Sequence, residues 1–574
     1  MRLPKLIMQL SLQAKIIFIT CVAVTSVFWT QGSDPFNLPK LLILTIGAFA
    51  ALGSVLPRFL RLKTRSFHKW PLIATIFVII SLLNSFIFAP APKLQMFFGV
   101  SGRNTGFLDY LCLAILFLVS ASFRNVKDIK AIRNALLVSG AISLIICTYE
   151  VLGINIQGVE GSFQTSIIGT FGNPDFISAF LGMAGVALFA LILDRKLPLI
   201  LRILIFSPVA YIVYLIVYSR ARQGLVVFVG GCALLFYFFL RSKTRNRILL
   251  SGYLSSLLIT AAFSVAGAIN VGPLAKYIFK SSVTYRGYYW DAGIEMFKSH
   301  PLTGVGLNSY GDWYRYVRTI QTVKAAGPDD TSNAAHNVFI DFAATGGLPF
   351  FLAFLGIILV TLISVYKFLR RNRAFDSTFF ALLGAWLIYL IQAIVSIDQI
   401  GLAIWGWVLA GCLIAYEFLD RVGRLSDTGT LIKEGLIAPK VVTVRTKDTA
   451  MITSAFIFLL VGLSISLQVF KADIDFITAI KLGSADRFFA NSNQWPTNQN
   501  KSVRISSEFL AAKLNAQALD VAITGTKRYP RSYELWVSVY INPNASIEQK
   551  RTAVENMKKL DPRNPQLIGL TVNN

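Results

Sequence analysis

Stretches of about 18 to 22 apolar residues recur along this chain, and they limit what it can fold into more than any other feature. Each is long enough to cross about 30 Å of hydrocarbon as a helix. A segment inside lipid must satisfy its own backbone hydrogen bonds, so such a chain folds as a bundle of helices. The runs lie near residues 14–31, 39–56, 70–89, 106–122, 134–151, 174–193, 198–218, 224–240, 248–269, 346–366, 376–396, 400–418 and 450–470. They predict an all-α, polytopic helical membrane protein with about thirteen transmembrane helices. Composition agrees: 55% of the 574 residues are hydrophobic, and mean hydropathy is +0.60. The first run is followed closely by others, so it reads as an anchor rather than a cleaved signal.

A formal charge of +26 would suit a nucleic-acid partner, but its distribution argues against one. The basic residues collect in alternate short loops, as the positive-inside rule requires of cytoplasmic connectors. Arg58, Arg61, Lys63, Arg65 and Lys69 follow the second run, and Arg124, Lys127, Lys130 and Arg133 follow the fourth. Lys367, Arg370, Arg371 and Arg373 follow the tenth; Arg421, Arg424, Lys433, Lys440, Arg445 and Lys447 follow the twelfth. This pattern places the N-terminus inside and, with an odd number of spans, the C-terminal tail outside the cytoplasmic membrane. Cys21, Cys112, Cys147, Cys232 and Cys412 all sit in apolar runs without metal or disulfide spacing, which favours packing.

With that orientation, every unusual polar segment falls on the outer face. These are GVSGRNTG (99–106), GTFGNP (169–174), YSRARQG (218–224), the long loop 270–345 and SIDQIG (396–401). Arg220 and Arg222 stand where orientation disfavours arginine, so either they snorkel to lipid phosphates or they bind an anion. Arg286 lies in YRGYYW, ahead of a short helix expected over Tyr289–Ser299. HPLTGVG reads as a turn; it lacks the context and the lysine of a phosphate loop. The chain has three histidines, His68, His300 and His336. His300 precedes proline and reads as a turn residue. His336 stands where the long loop enters a membrane run, and imidazole takes a proton near neutral pH. Gly346–Gly347, just beyond, permits a helix break or a close approach.

The segments YRGYYWDAGIEMFKSHPLTGVGLNSYGDWY and HNVFIDFAATGGLPFFLAFL together resemble the O-antigen ligase / O-antigen polymerase family of bacterial membrane glycosyltransferases. GTFGNPDFISAFL, SRARQGL and FFGVSGRNTGFLDYL are similar to upstream motifs of that family, so the resemblance spans about 97 to 410. It implies transfer of a glycan from undecaprenyl pyrophosphate to an acceptor hydroxyl outside the cytoplasmic membrane, with inversion and without a metal or other cofactor. On this reading His336 activates the acceptor, while Arg286 and Arg222 or Arg220 hold the pyrophosphate. Arg103, Asn173, Asn337 and Asp398, in the same motifs and loops, are expected to touch substrate. The acceptor is a glycolipid, a glycan or a protein, so a polymerase and a protein O-oligosaccharyltransferase stay open beside a ligase. A transporter or flippase would instead place its ionisable residues near the midplane.

The polytopic domain is expected over 1–470, and a small extracytoplasmic helical domain over 471–574. Alanines at helical spacing followed by Pro530, Pro562 and Pro565 look weakly like tetratricopeptide repeats. At most about two repeats fit, too few to be stable alone, so the tail is expected to dock on the membrane part.

Overall fold

The computed structural model describes residues 10–61, 69–158, 166–279, 281–423 and 448–572. Lys63, Arg65, His68, Arg424, Lys433, Lys440, Arg445 and Lys447 lie outside the described residues. Among those described there is no strand.

The first helices are α1 (Leu12–Ser26), α2 (Asn37–Arg61), α3 (Lys69–Phe88), α4 (Lys93–Phe98), α5 (Phe107–Ala121) and α6 (Val126–Val151). Next come α7 (Pro174–Ile192), α8 (Leu199–Tyr218), α9 (Arg222–Lys243), α10 (Arg247–Ala268) and α11 (Ala275–Ile278). α12 (Ser281–Ser299), α13 (Tyr310–Val317) and α14 (Ile320–Ala326) precede the long α15 (Val338–Arg371), α16 (Ser377–Val395), α17 (Ile400–Arg421) and α18 (Asp448–Lys481). The tail adds α19 (Ala485–Asn491), α20 (Gln499–Ala511), α21 (Asn515–Arg528), α22 (Tyr533–Ile541) and α23 (Ile547–Leu560).

Eleven of the described helices are long and apolar enough to cross a membrane. The expected runs at 14–31 and 106–122 form α1 and α5, which have only 15 residues each. At 1.5 Å per residue, such helices fall short of a full hydrocarbon crossing of about 30 Å. The hub is α17, which packs on α5, α15 and α16 and buries Trp405 and Trp407; Trp405 donates to Thr25 Oγ1 of α1 at 2.9 Å. At the other extreme, none of the apolar stretch of α10 is buried, so its side chains face outward. α18 packs along α2 and runs without interruption to Lys481, so the 470/471 boundary drawn from polarity falls inside a helix.

Two local devices hold one end of the bundle. Lys40 is wholly buried, and its ammonium donates to the carbonyls of Val24 (2.9 Å), Thr25 (3.4 Å) and Val27 (2.9 Å). It thereby closes the C-terminal end of α1, where carbonyls lack helical partners. The second device breaks α15. Gly347 takes φ 73° and ψ −179°, which splits the helix into a short segment beginning at Val338 and a longer apolar one. The freed backbone is satisfied by the HPLTGVG segment. Val305 N donates to Ala344 O (2.9 Å), Gly306 N to Thr345 O (3.1 Å), and Leu348 N to Pro301 O (2.7 Å). Broken helices persist at membrane depth only when neighbouring groups repair the ladder in this way. The approach admits no side chain: a Cβ on Gly304 would lie 2.2 Å from the Thr345 carbonyl carbon. A Cβ on Gly347 would lie 2.6 Å from that of Leu302. HPLTGVG and Gly346–Gly347 are therefore two halves of one lock.

Candidate active site

The short first segment of α15 sets the position of His336. Asn337 caps it, its side-chain oxygen accepting from Phe339 N (3.0 Å) and Ile340 N (3.1 Å). One turn on, Asp341 reaches back to accept from Ala335 N at 3.1 Å. Between these two ties His336 holds φ 54°, a left-handed conformation that costs a non-glycine residue energy. Its half-buried ring lies 5.3 Å from that of Tyr289, centroid to centroid.

Two guanidiniums act on this imidazole. Burial pushes its pKa down to about 4, and the positive charges of Arg103 and then Arg286 push the same way. Arg103 comes from the GVSGRNTG loop and donates to Asn333. Its own pKa is lowered to about 10 by burial, against the pull of Asp341. Arg286 points from α12, which spans Ser281–Ser299 rather than the shorter Tyr289–Ser299 expected, so the arginine sits within the helix. It donates to Asp175 at 3.4 Å and to Gln223 at 3.4 Å. Both bonds are long, which leaves the guanidinium loosely held.

The other expected residues divide into two groups. Arg220 and Arg222 are exposed at the turn between α8 and α9. Arg222 donates to Phe279 O at 2.6 Å, and Arg220 sits at φ 55°. This turn meets Arg286 through Gln223. Asn173 and Asp398 line a cavity of about 280 Å³ that also touches Arg103. Asn173 is the N-cap of α7, accepting from Asp175 N at 2.8 Å. Asp398 is buried and accepts from Tyr389 Oη at 3.3 Å; burial raises its carboxyl to about 7. His300 keeps the turn role expected of it, with Ser299 Oγ 2.9 Å from its Nδ1 and Trp313 packed edge-on at 4.8 Å. Asp330 accepts from Tyr314 Oη at 2.7 Å.

Sequence reasoning missed the supporting shell of Asp341, Tyr289, Asp175, Gln223 and Asn333. Some of it carried a local signal. Asn-Pro-Asp at the start of α7 is a cap, a first-turn proline and a first-turn acid, and Asn337 before an apolar helix is another cap.

His336 and Arg103 open into a larger cleft of about 370 Å³, lined also by Tyr289, Asn308 and Asn333. A neutral imidazole under the charge of two guanidiniums, in an open polar cleft at a bundle end, suits proton abstraction beside an anion. Residues 207–355 match the O-antigen ligase family. The matched part holds Arg220, Arg222, Arg286, His336 and both halves of the glycine lock. It is narrower than the expected 97–410 and leaves out Arg103, Asn173, Asp398 and the tail. No curated protein matches the chain.

Proposed function

We propose that this protein transfers a glycan from undecaprenyl pyrophosphate to a hydroxyl-bearing acceptor on the extracytoplasmic side of the cytoplasmic membrane. The observations that support the reading are that His336 opens with Arg103 into one polar cleft, and that the positive charges of Arg103 and Arg286 both act on its imidazole. The acceptor oxygen attacks the anomeric carbon as its proton passes to the imidazole. The bond from that carbon to the pyrophosphate oxygen breaks, and the electron pair leaves with the phosphate. Attack opposite the leaving group inverts the anomeric centre. Arg286 exchanges Asp175 for a phosphate oxygen as charge builds there, and guanidinium geometry suits that bidentate contact. Arg222 and Arg220 stand at the turn beside Gln223 and extend the anion site toward the lipid. No step calls for a metal or cofactor.

The test uses the full-length protein in nanodiscs with a synthetic polyprenyl-pyrophosphate-linked oligosaccharide, and mass spectrometry of the products. The expected outcome is an inverted glycoside on an acceptor together with free polyprenyl pyrophosphate. Movement of intact donor across the bilayer without cleavage would make the protein a flippase and overturn the reading.

A further inference from the structure

The tail is fixed against the loops that build the site. Arg318 and Asp561 are both fully buried and bridge at 2.7 Å. Arg318 also donates to the carbonyls of Asp330 and Pro328, at 2.7 Å each. Arg531 lays its guanidinium over the Trp313 ring at 3.5 Å and donates to Asp312 O at 3.2 Å. Asn500 donates to Ser101 O at 3.2 Å, inside the very loop that carries Arg103. The His336 cleft is consequently walled on one side by the tail residues Asn500, Tyr533 and Glu534.

The chemistry of this cleft narrows its occupant. Its aliphatic side chains are Val100 and Leu560; the rest are amides, hydroxyls, charged groups and the rings of Tyr289, Tyr533 and His336. A peptide is usually taken by adding a strand to a sheet edge or by docking an apolar helix face in a greasy groove. The described residues contain no strand, and this cleft has no apolar floor. A saccharide fits better. Its hydroxyls pair with planar amides and carboxylates, and its C–H faces lie on aromatic rings. Asn500 and Glu534 are exposed and line the cleft with His336; the Asn500 amide oxygen is left to accept, and the Glu534 carboxylate is held only by a long pair with Arg315 at 3.7 Å.

We infer that the C-terminal tail forms the acceptor subsite of the His336 cleft, and that the acceptor is a saccharide held by Asn500, Tyr533 and Glu534. This rests on the glycan-transfer reading for its purpose, but its test does not depend on turnover. Saturation-transfer NMR would be run on the full-length protein in nanodiscs with neutral, amino-sugar and uronic-acid hexasaccharides and a Ser/Thr-rich peptide. At least one hexasaccharide is expected to receive saturation, and the peptide none. Asn500→Ala and Glu534→Gln each remove an exposed contact and are expected to weaken that binding about tenfold. Glu548→Gln, on the tail but outside the cleft, is expected to leave it within about twofold. Binding of the peptide alone, absence of binding by every hexasaccharide, or indifference to both tail variants would overturn the inference. Saccharide binding that persists while His336→Ala turns over like wild type would sink the catalytic reading and leave the subsite standing.

Discussion

Arg318 and Arg286 each face an aspartate, at 2.7 Å in one case and 3.4 Å in the other. Arg318 and Asp561 are 0% exposed, and the arginine also grips two carbonyls. Arg286 is 15% exposed and its partner Asp175 37%, with both of its bonds at the long limit. The first arginine holds two carbonyls and a buried carboxylate through its terminal nitrogens and works as a rivet. The second has donors to spare and a partner that water already reaches, so an incoming phosphate can displace that partner at little cost. The same residue type thus serves structure in one region and, on the proposed function, chemistry in the other, and the two differ in burial and bond length.

Exchanging the two roles breaks the comparison if it is wrong. The largest effect is expected at the rivet. Arg318→Ala leaves the buried Asp561 only the longer pair with Arg315 at 3.3 Å and a bond from Asn564, and should cost the docked tail up to about 3–5 kcal/mol. Limited proteolysis and thermal unfolding in nanodiscs would read this as early release of α19 through α23. Arg286→Ala should do the reverse, with stability nearly unchanged and turnover reduced about 10²–10³-fold. Arg286→Lys should not rescue it, since an ammonium cannot copy the planar fork. An Arg286→Ala protein that unfolds early and keeps its rate would place this arginine with Arg318. Asp175→Asn should change stability by no more than about 1 kcal/mol and tighten donor binding modestly, because it removes the carboxylate that competes with phosphate. Isothermal titration with the lipid-linked donor would show it. The smallest effect is expected for His300→Ala, whose turnover should stay within about twofold of wild type, a change typical of residues outside the chemistry.

The apolar runs made the bundle readable, because a helix in lipid declares itself by length and hydropathy alone. The break in α15 was readable as Gly346–Gly347, yet its repair by Pro301, Val305 and Gly306 was not. Backbone pairing between distant segments leaves no periodic mark in a sequence. The same reason hid the joint action of Arg103 and Arg286 on His336, since the three come from separate loops and helices. Asn173 and Asn337 were readable as helix caps from their neighbours alone, and both cap their helices in the structure. Polar motifs on one face drew attention to ligands, although short polar side chains at helix starts most often serve the backbone. Docking of the tail was foreseeable from its shortness, but not its place beside His336.

The central claim is that the His336 imidazole takes the acceptor proton, and that the anion-binding guanidiniums tune it. Burial, Arg103 and Arg286 hold its pKa to about 4, so it is neutral and available at higher pH. A bound pyrophosphate offsets those positive charges and raises the pKa, which makes the imidazole a stronger base once the donor is present. The direct test is a pair of pH profiles, kcat/KM for the donor and kcat, measured on wild type and His336→Ala. For wild type both should fall as pH drops through the imidazole pKa, near 4 for kcat/KM and at a distinctly higher pH for kcat. His336→Ala should be slower by about 10²–10⁴-fold and show neither limb. A His336→Ala protein with the wild-type rate, or with the same acid limbs, would contradict the account.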